Sequence, residues 1–103
     1  MCASKGLIMQ ICLCAKDLEI MAALPVLKQL RPHLLDETFI TDVRRMQAGG
    51  YHLVCLLDPE VRAVGGYRVY ELFAMGKVLY VDDLVTDQGH RSKKYGQVLL
   101  EWL

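Results

Sequence analysis

Residues 77–103 read KVLYVDDLVTDQGHRSKKYGQVLLEWL. The first part is a strand, because Val78, Leu79, Tyr80, Val81, Leu84 and Val85 form a β-branched and aromatic run of strand length. The last part is a helix, because Tyr95, Val98, Leu99 and Trp102 recur at i, i+3, i+4 and i+7. Between them a polar loop, residues 86–90, opens into Arg91, Ser92, Lys93, Lys94 and, one turn in, Gly96. A strand that turns tightly into a helix gathers unpaired backbone N–H groups and the positive end of the helix dipole at one point. An anion suits that point, the three cations add to the attraction, and Gly96 lets a phosphate approach the backbone without meeting a Cβ. As a bare pattern, a basic helix start is more often a solvated face than a phosphate site. The phosphate loops GxxxxGK[ST] and GxGxxG are both absent.

The composition sets the frame around this stretch. A chain of 103 residues with 53% hydrophobic content is one small domain that needs a packed core. Its twelve basic and twelve acidic side chains cancel, so nothing in the global charge points to nucleic acid or an anionic membrane as partner. No apolar run reaches the length of a bilayer span, and the N-terminal residues lack the pattern of a secretory leader. A soluble, cytoplasmic protein is expected. Of the four cysteines, Cys12 and Cys14 share one face of a strand, Cys55 sits in another, and Cys2 is near the start. Without clustered histidines they make a poor tetrahedral metal site, so no metal is expected. Reduced, buried thiols packing as small hydrophobes are the expectation.

In chain order, residues 6–15 (GLIMQICLCA) read as a first strand that is apolar on both faces. Asp17 offers an N-cap, and Leu18, Met21, Ala22, Val26, Leu27 and Leu30 follow at helical spacing. Pro25 lies inside this segment and predicts either a later helix start or a kink, with a break favoured. Arg31, Pro32 and His33 end the helix. Asp36 opens a second one that runs to about Gln47, where Gly49 and Gly50 stop it, with Phe39, Ile40, Val43 and Met46 as its apolar face. Residues 51–57 (YHLVCLL) are the second strand, and Asp58, Pro59 and Glu60 make a turn. Residues 61–72 are the third strand, in which Gly65 and Gly66 mark a bulge or a close approach by another backbone. Residues 73–76 turn into the strand already described. The predicted class is α+β, in the order β-α-α-β-β-β-α, with a mainly antiparallel sheet because the later strands are joined by short hairpins.

The segment VDDLVTDQGHRSKKYGQVLLEWL resembles motif A of the GNAT acetyltransferase superfamily, a strand followed by Q/R-x-x-G-x-G/A at a helix start. Arg91 takes the first place of that pattern and Gly96 the last, while Lys94 stands where the middle glycine is usual. The element order is likewise what the resemblance implies for the first two thirds of such a domain. It implies acetyl-CoA as cosubstrate, with Leu84 and Val85 meeting the pantetheine arm through their backbone and Arg91, Ser92, Lys93, Lys94, Tyr95 and Gly96 meeting its phosphates. It also implies transfer of an acetyl group to an amine, small or on a protein, by direct attack on the thioester. The base is then Asp83, with Asp82 and Tyr80 as lesser candidates, and the Val85 N–H donates to the thioester oxygen. Strand alternation sends Asp82 and Asp83 to opposite faces, so at most one of them enters the cleft. Each carboxylate equally suits a backbone cap or a pair with a lysine. In the superfamily the helices after the first strand border the acceptor, which brings His33, Arg44 and Arg45 near it, although such residues at helix ends commonly face water.

The final helix carries its apolar stripe to Leu103, whereas members of the superfamily continue with a fifth strand and further elements. The chain is therefore read as a single, incomplete GNAT-like domain over residues 1–103, supplying one wall of the pantetheine cleft. The tyrosine that often reprotonates the leaving thiolate would lie beyond Leu103. An open sheet edge and an uncovered helix face favour a homodimer that completes the sheet. The alternative is a truncated GNAT-like module that binds CoA or dimerises without catalysis. A third reading is a small α+β protein whose basic loop contacts another anion.

Overall fold

The computed structural model describes residues 9–103, apart from the side chains of Ser92 and Lys93. Its elements are β1 (Gln10–Leu13), α1 (Asp17–Leu30), α2 (Asp36–Ala48), β2 (Tyr51–Leu57), β3 (Val61–Leu72), β4 (Gly76–Thr86), a 3-10 stretch (Gln88–Lys93) and α3 (Tyr95–Trp102). The expected order and α+β class hold. The strands form one sheet in the order β1-β2-β3-β4, with every neighbouring pair antiparallel. Residues 6–8 of the expected first strand, and Cys2, lie outside the described residues. No helix among the described residues is long and apolar enough to cross a membrane.

Helices cover both faces of the sheet, which explains why β2 is apolar apart from His52. Tyr51, Leu53 and Cys55 pack under α1 and α2 with Ile20, Leu24, Leu27, Phe39 and Val43. Val54 and Leu56 turn the other way, onto Tyr95 and Leu99 of α3. His52 is the exposed position of the run.

The helix α1 continues through Pro25, against the expected break. Proline inside a helix costs about 3 kcal/mol. Against that stand Ile20, Leu24, Val26 and Leu27, all buried and each contributing about 1.5–3 kcal/mol. Pro25 itself lies on the exposed side. The N-cap is Lys16 rather than Asp17, and the Glu19 carboxylate accepts from the N–H groups of Ala15 and Lys16, both at 2.9 Å.

Cys14 and Cys55 are free and buried, with their sulfurs 2.9 Å apart. The hydrogen bond to Cys14, and then burial, push the Cys55 thiol well above its ordinary value. Cys12 is disulfide-bonded, which departs from the reduced state expected of it. Spacing along a chain does not fix cysteine pairing.

Gly65 and Gly66 have separate reasons. Gly65 faces α3, where a Cβ would lie 3.1 Å from Val54 Cγ1 and 3.4 Å from Leu99 Cδ2. Gly66 faces the other way, and a Cβ there would collide with the Tyr51 hydroxyl and ring. The sheet register also shifts between Gly66 and Tyr67, but the inserted residue is Asp82 of β4, so the bulge lies opposite the glycines rather than in β3. The close approach, however, is by side chains rather than backbone.

Two outcomes test this packing. Gly66→Ala lowers stability by about 1–3 kcal/mol in urea unfolding, because Tyr51 has no slack in which to move. Iodoacetamide at neutral pH leaves Cys14 and Cys55 unmodified in the folded protein and labels both after unfolding in urea, as peptide mapping by mass spectrometry reads it.

Candidate functional site

The bulge decides where the carboxylates go. Gly66 pairs with Asp83 but Tyr67 pairs with Val81, so Asp82 is the extra residue on β4. Strict alternation places Asp82 and Asp83 on opposite faces; the inserted residue cancels it, and both reach the α1/α2 side. There Arg68 Nε donates to Asp82 Oδ2 at 3.0 Å, and Arg31 Nε donates to Asp83 Oδ1 at 2.9 Å. The Tyr51 hydroxyl donates to Asp83 Oδ2 at 2.9 Å, and the Arg68 guanidinium lies 5.2 Å from the centre of the Tyr51 ring. Burial first, and then the Asp83 charge, raise the Tyr51 hydroxyl far above its usual range, so it stays a donor at any working pH. Asp83, with 12% of its side chain exposed, is thus fixed by two donors from elements distant in sequence. Tyr80 shares this face by register, is more than half exposed, and meets Tyr70 edge-on at 6.4 Å.

Beside Asp83 a cavity of about 340 Å³ opens between α1, α2 and β4, with Arg31, His33, Asp42 and Tyr51 in its wall. Of the residues expected near an acceptor, His33 lines this cavity. Arg44 instead binds the Ala15 carbonyl at 2.6 Å and Asp17 at 2.7 Å, and Arg45 pairs with Asp42 at 3.0 Å.

Just past the C-terminal end of β4 the loop is clamped. Gln29 of α1 donates to Asp87 Oδ1 at 2.8 Å and accepts from the Gln88 N–H at 2.8 Å. His90 Nδ1 meets Asp87 Oδ2 at 2.6 Å. The Gln29 amide, and next the His90 ring, hold the Asp87 carboxyl below its ordinary value. Tyr95, the first residue of α3, donates its hydroxyl to Asp58 Oδ2 at 2.6 Å, and Arg91 Nε donates to the Thr86 carbonyl at 3.2 Å.

Three features of this end suit an extended anionic ligand. β4 is the last strand of the sheet, so its outer edge carries backbone groups with no strand beside them among the described residues. The Asp87 N–H bonds the Arg62 carbonyl at 2.7 Å, which turns Asp87 toward β3. By alternation Val85 also turns inward, while Leu84 presents N–H and C=O at the open edge and Thr86 its N–H, its carbonyl being taken by Arg91. Of Leu84 and Val85, it is Leu84 that turns its N–H to the open edge. At the start of α3, Gly96 lies so close to Thr86 that a Cβ would sit 2.8 Å from Thr86 Oγ1, and the first N–H groups of the helix have no partner within it. Lys94, at the place of the middle glycine, adopts left-handed backbone with φ 63°. A residue with a Cβ is strained there.

Gln29, Arg31, Tyr51 and Arg68 were not legible as site residues. Arg31 reads as a helix end, Tyr51 as a strand start, and nothing local marks any of the four. No group of three or more potential metal ligands occurs among the described residues.

Lys94→Gly relieves about 1–2 kcal/mol of left-handed strain and adds back about 0.4–1 kcal/mol of unfolded-chain freedom. The variant is therefore more stable by up to about 1.6 kcal/mol in urea unfolding. The depressed Asp87 carboxyl contributes stability that is present above the ordinary carboxylate range and lost as pH falls toward the depressed value. Asp87→Asn flattens the acid fall of stability below about pH 5, followed by denaturant midpoint.

No protein-family model matches the chain, and no curated protein matches its sequence. Solved structures do. Glucosamine-6-phosphate N-acetyltransferase from Arabidopsis thaliana superimposes with a TM-score of 0.74 at 19% identity, over 92% of this chain and 71% of that one. An acetyltransferase from Trypanosoma brucei gives 0.73 at 16% identity, over 91% of this chain and 70% of that one. At such identities the likeness is one of architecture: the chain has the GNAT-like fold of these acetyltransferases.

Proposed function

We propose that the chain is an acetyl-CoA-dependent N-acetyltransferase domain acting on an amine. The observation that carries this reading is the junction of β4 and α3, where an open strand edge leads into a glycine-tight helix start beneath Arg91 and Lys94. The fold shared with two acetyltransferases supports it. The cosubstrate supplies an activated acetyl thioester. Toward it, the Leu84 and Thr86 backbones hold the extended arm, and the Leu84 N–H donates to the thioester oxygen, where charge develops. The N–H groups of Tyr95 and Gly96, with Arg91, Ser92, Lys93 and Lys94, receive the phosphates. Asp83 takes the amine's proton, directly or through one water, oriented for this by Arg31 and Tyr51. Asp82 fixes Arg68 behind it, and Tyr80 borders the same face.

In this proposal residues 1–103 act as one GNAT-like domain in the cytoplasm. A second copy pairing along the β4 edge ahead of Leu84 completes the cleft and leaves the Leu84 N–H for the arm. An edge strand with unpaired backbone groups is a template for such pairing.

Calorimetric titration with acetyl-CoA, with light scattering to fix the mass, is the direct test. Saturable binding and transfer to an amine are expected. Asp83→Asn then lowers kcat by about 10²–10⁴-fold while leaving acetyl-CoA affinity in place. Absence of binding at millimolar ligand sinks the reading. Binding without transfer to any amine supports instead a CoA-holding or dimerising module, which the side chain of Lys94 on left-handed backbone favours.

A further inference from the structure

Resting on that reading, we infer that the acceptor is a monoamine carried on an apolar aliphatic or aryl body, seated in the cavity beside Asp83. The cavity's volume of about 340 Å³ is of the order that small-molecule sites occupy. Its walls are Leu27 from α1, Leu34 from the loop that follows, and Phe39, Val43 and Met46 from α2. Leu34 and Met46 are only partly buried, so apolar surface remains for a ligand to cover. A hydrocarbon body gains from that burial in proportion to the area it removes from water.

The charges favour a single cation. Two carboxylates, Asp42 and Asp83, face the cavity against one guanidinium, Arg31, with the His33 imidazole beside them. Arg31 is already committed to Asp83. Arg45 meets Asp42 through a pair whose side chains are 68% and 40% exposed, where solvent screens the attraction. An ammonium group therefore finds the solvent-screened Asp42 carboxylate and the remaining lone pairs of Asp83 at one end, and hydrocarbon at the other. A phosphosugar amine brings an anion toward those carboxylates with no uncommitted guanidinium in the wall. Its hydroxyls lose water where they meet Leu27, Leu34, Val43 and Met46, which offer them no partner. A polyamine lays further charges along the same apolar walls.

The probes are 2-phenylethylamine, spermidine and glucosamine 6-phosphate, each titrated with and without CoA while the methyl resonances of the protein are followed by NMR. The expected result is saturable shifts at Leu34, Val43 and Met46 with 2-phenylethylamine, and affinities at least about tenfold weaker for the other two. Met46→Gln weakens 2-phenylethylamine by about tenfold, with the Leu99 methyl shifts unchanged as the sign that the fold is intact. Three results overturn the inference: no saturable shift in either condition, equal or tighter binding of spermidine or the phosphosugar, or an unchanged affinity in Met46→Gln. The amine shifts without CoA are read independently of acetyl-CoA binding. Failure of the acetyltransferase reading and failure of this acceptor class therefore give different patterns.

Discussion

The contact on which the middle of the molecule depends is the Tyr51 hydroxyl lying over Gly66 and reaching Asp83. The phenol occupies the volume that any other residue at position 66 would fill. Its proton then goes to a carboxylate placed on that face by the inserted Asp82. Tyr51 also carries the Arg68 guanidinium over its ring, so the apolar core under α1 and α2 ends in a charged network. A tyrosine suits this boundary because its ring packs with the core while its hydroxyl needs a partner.

That network accounts for how two neighbouring acids share one face. An acidic pair packed against helices is costly unless its charge is matched, and here Arg31 and Arg68 match it one to one. Neither arginine is near the acids in sequence. Arg31 comes from the end of α1 and Arg68 from the adjacent strand, and each has half or more of its side chain buried.

Much of the architecture could be read from the chain, and the failures have common causes. The limits of β2 and β3 followed from apolar runs bounded by turn residues, and the apolar face of α2 from its periodicity. The continuity of α1 did not follow, because the effect of Pro25 depends on how much its helix buries elsewhere. Strand alternation gave the wrong faces for the acids because a bulge exists only in the pairing of two strands. It also gave no account of which backbone groups of β4 reach the open edge, since that depends on register with β3. The contacts of Gln29 and Arg31 span 58 and 52 residues, and no local pattern encodes a pair at that range.

The end of α1 touches β4 at its bulge and the loop just beyond its last residue. Gln29 holds the loop that leads to α3, and Arg31, two residues on, holds the acids at the bulge. These grips make the helix end a brace across the strand: a tilt of α1 that loosened the grip at Asp83 would also pull on Asp87. The cavity wall and the anion-facing turn therefore belong to one mechanical unit, and a ligand that stiffens either end lends rigidity to the other.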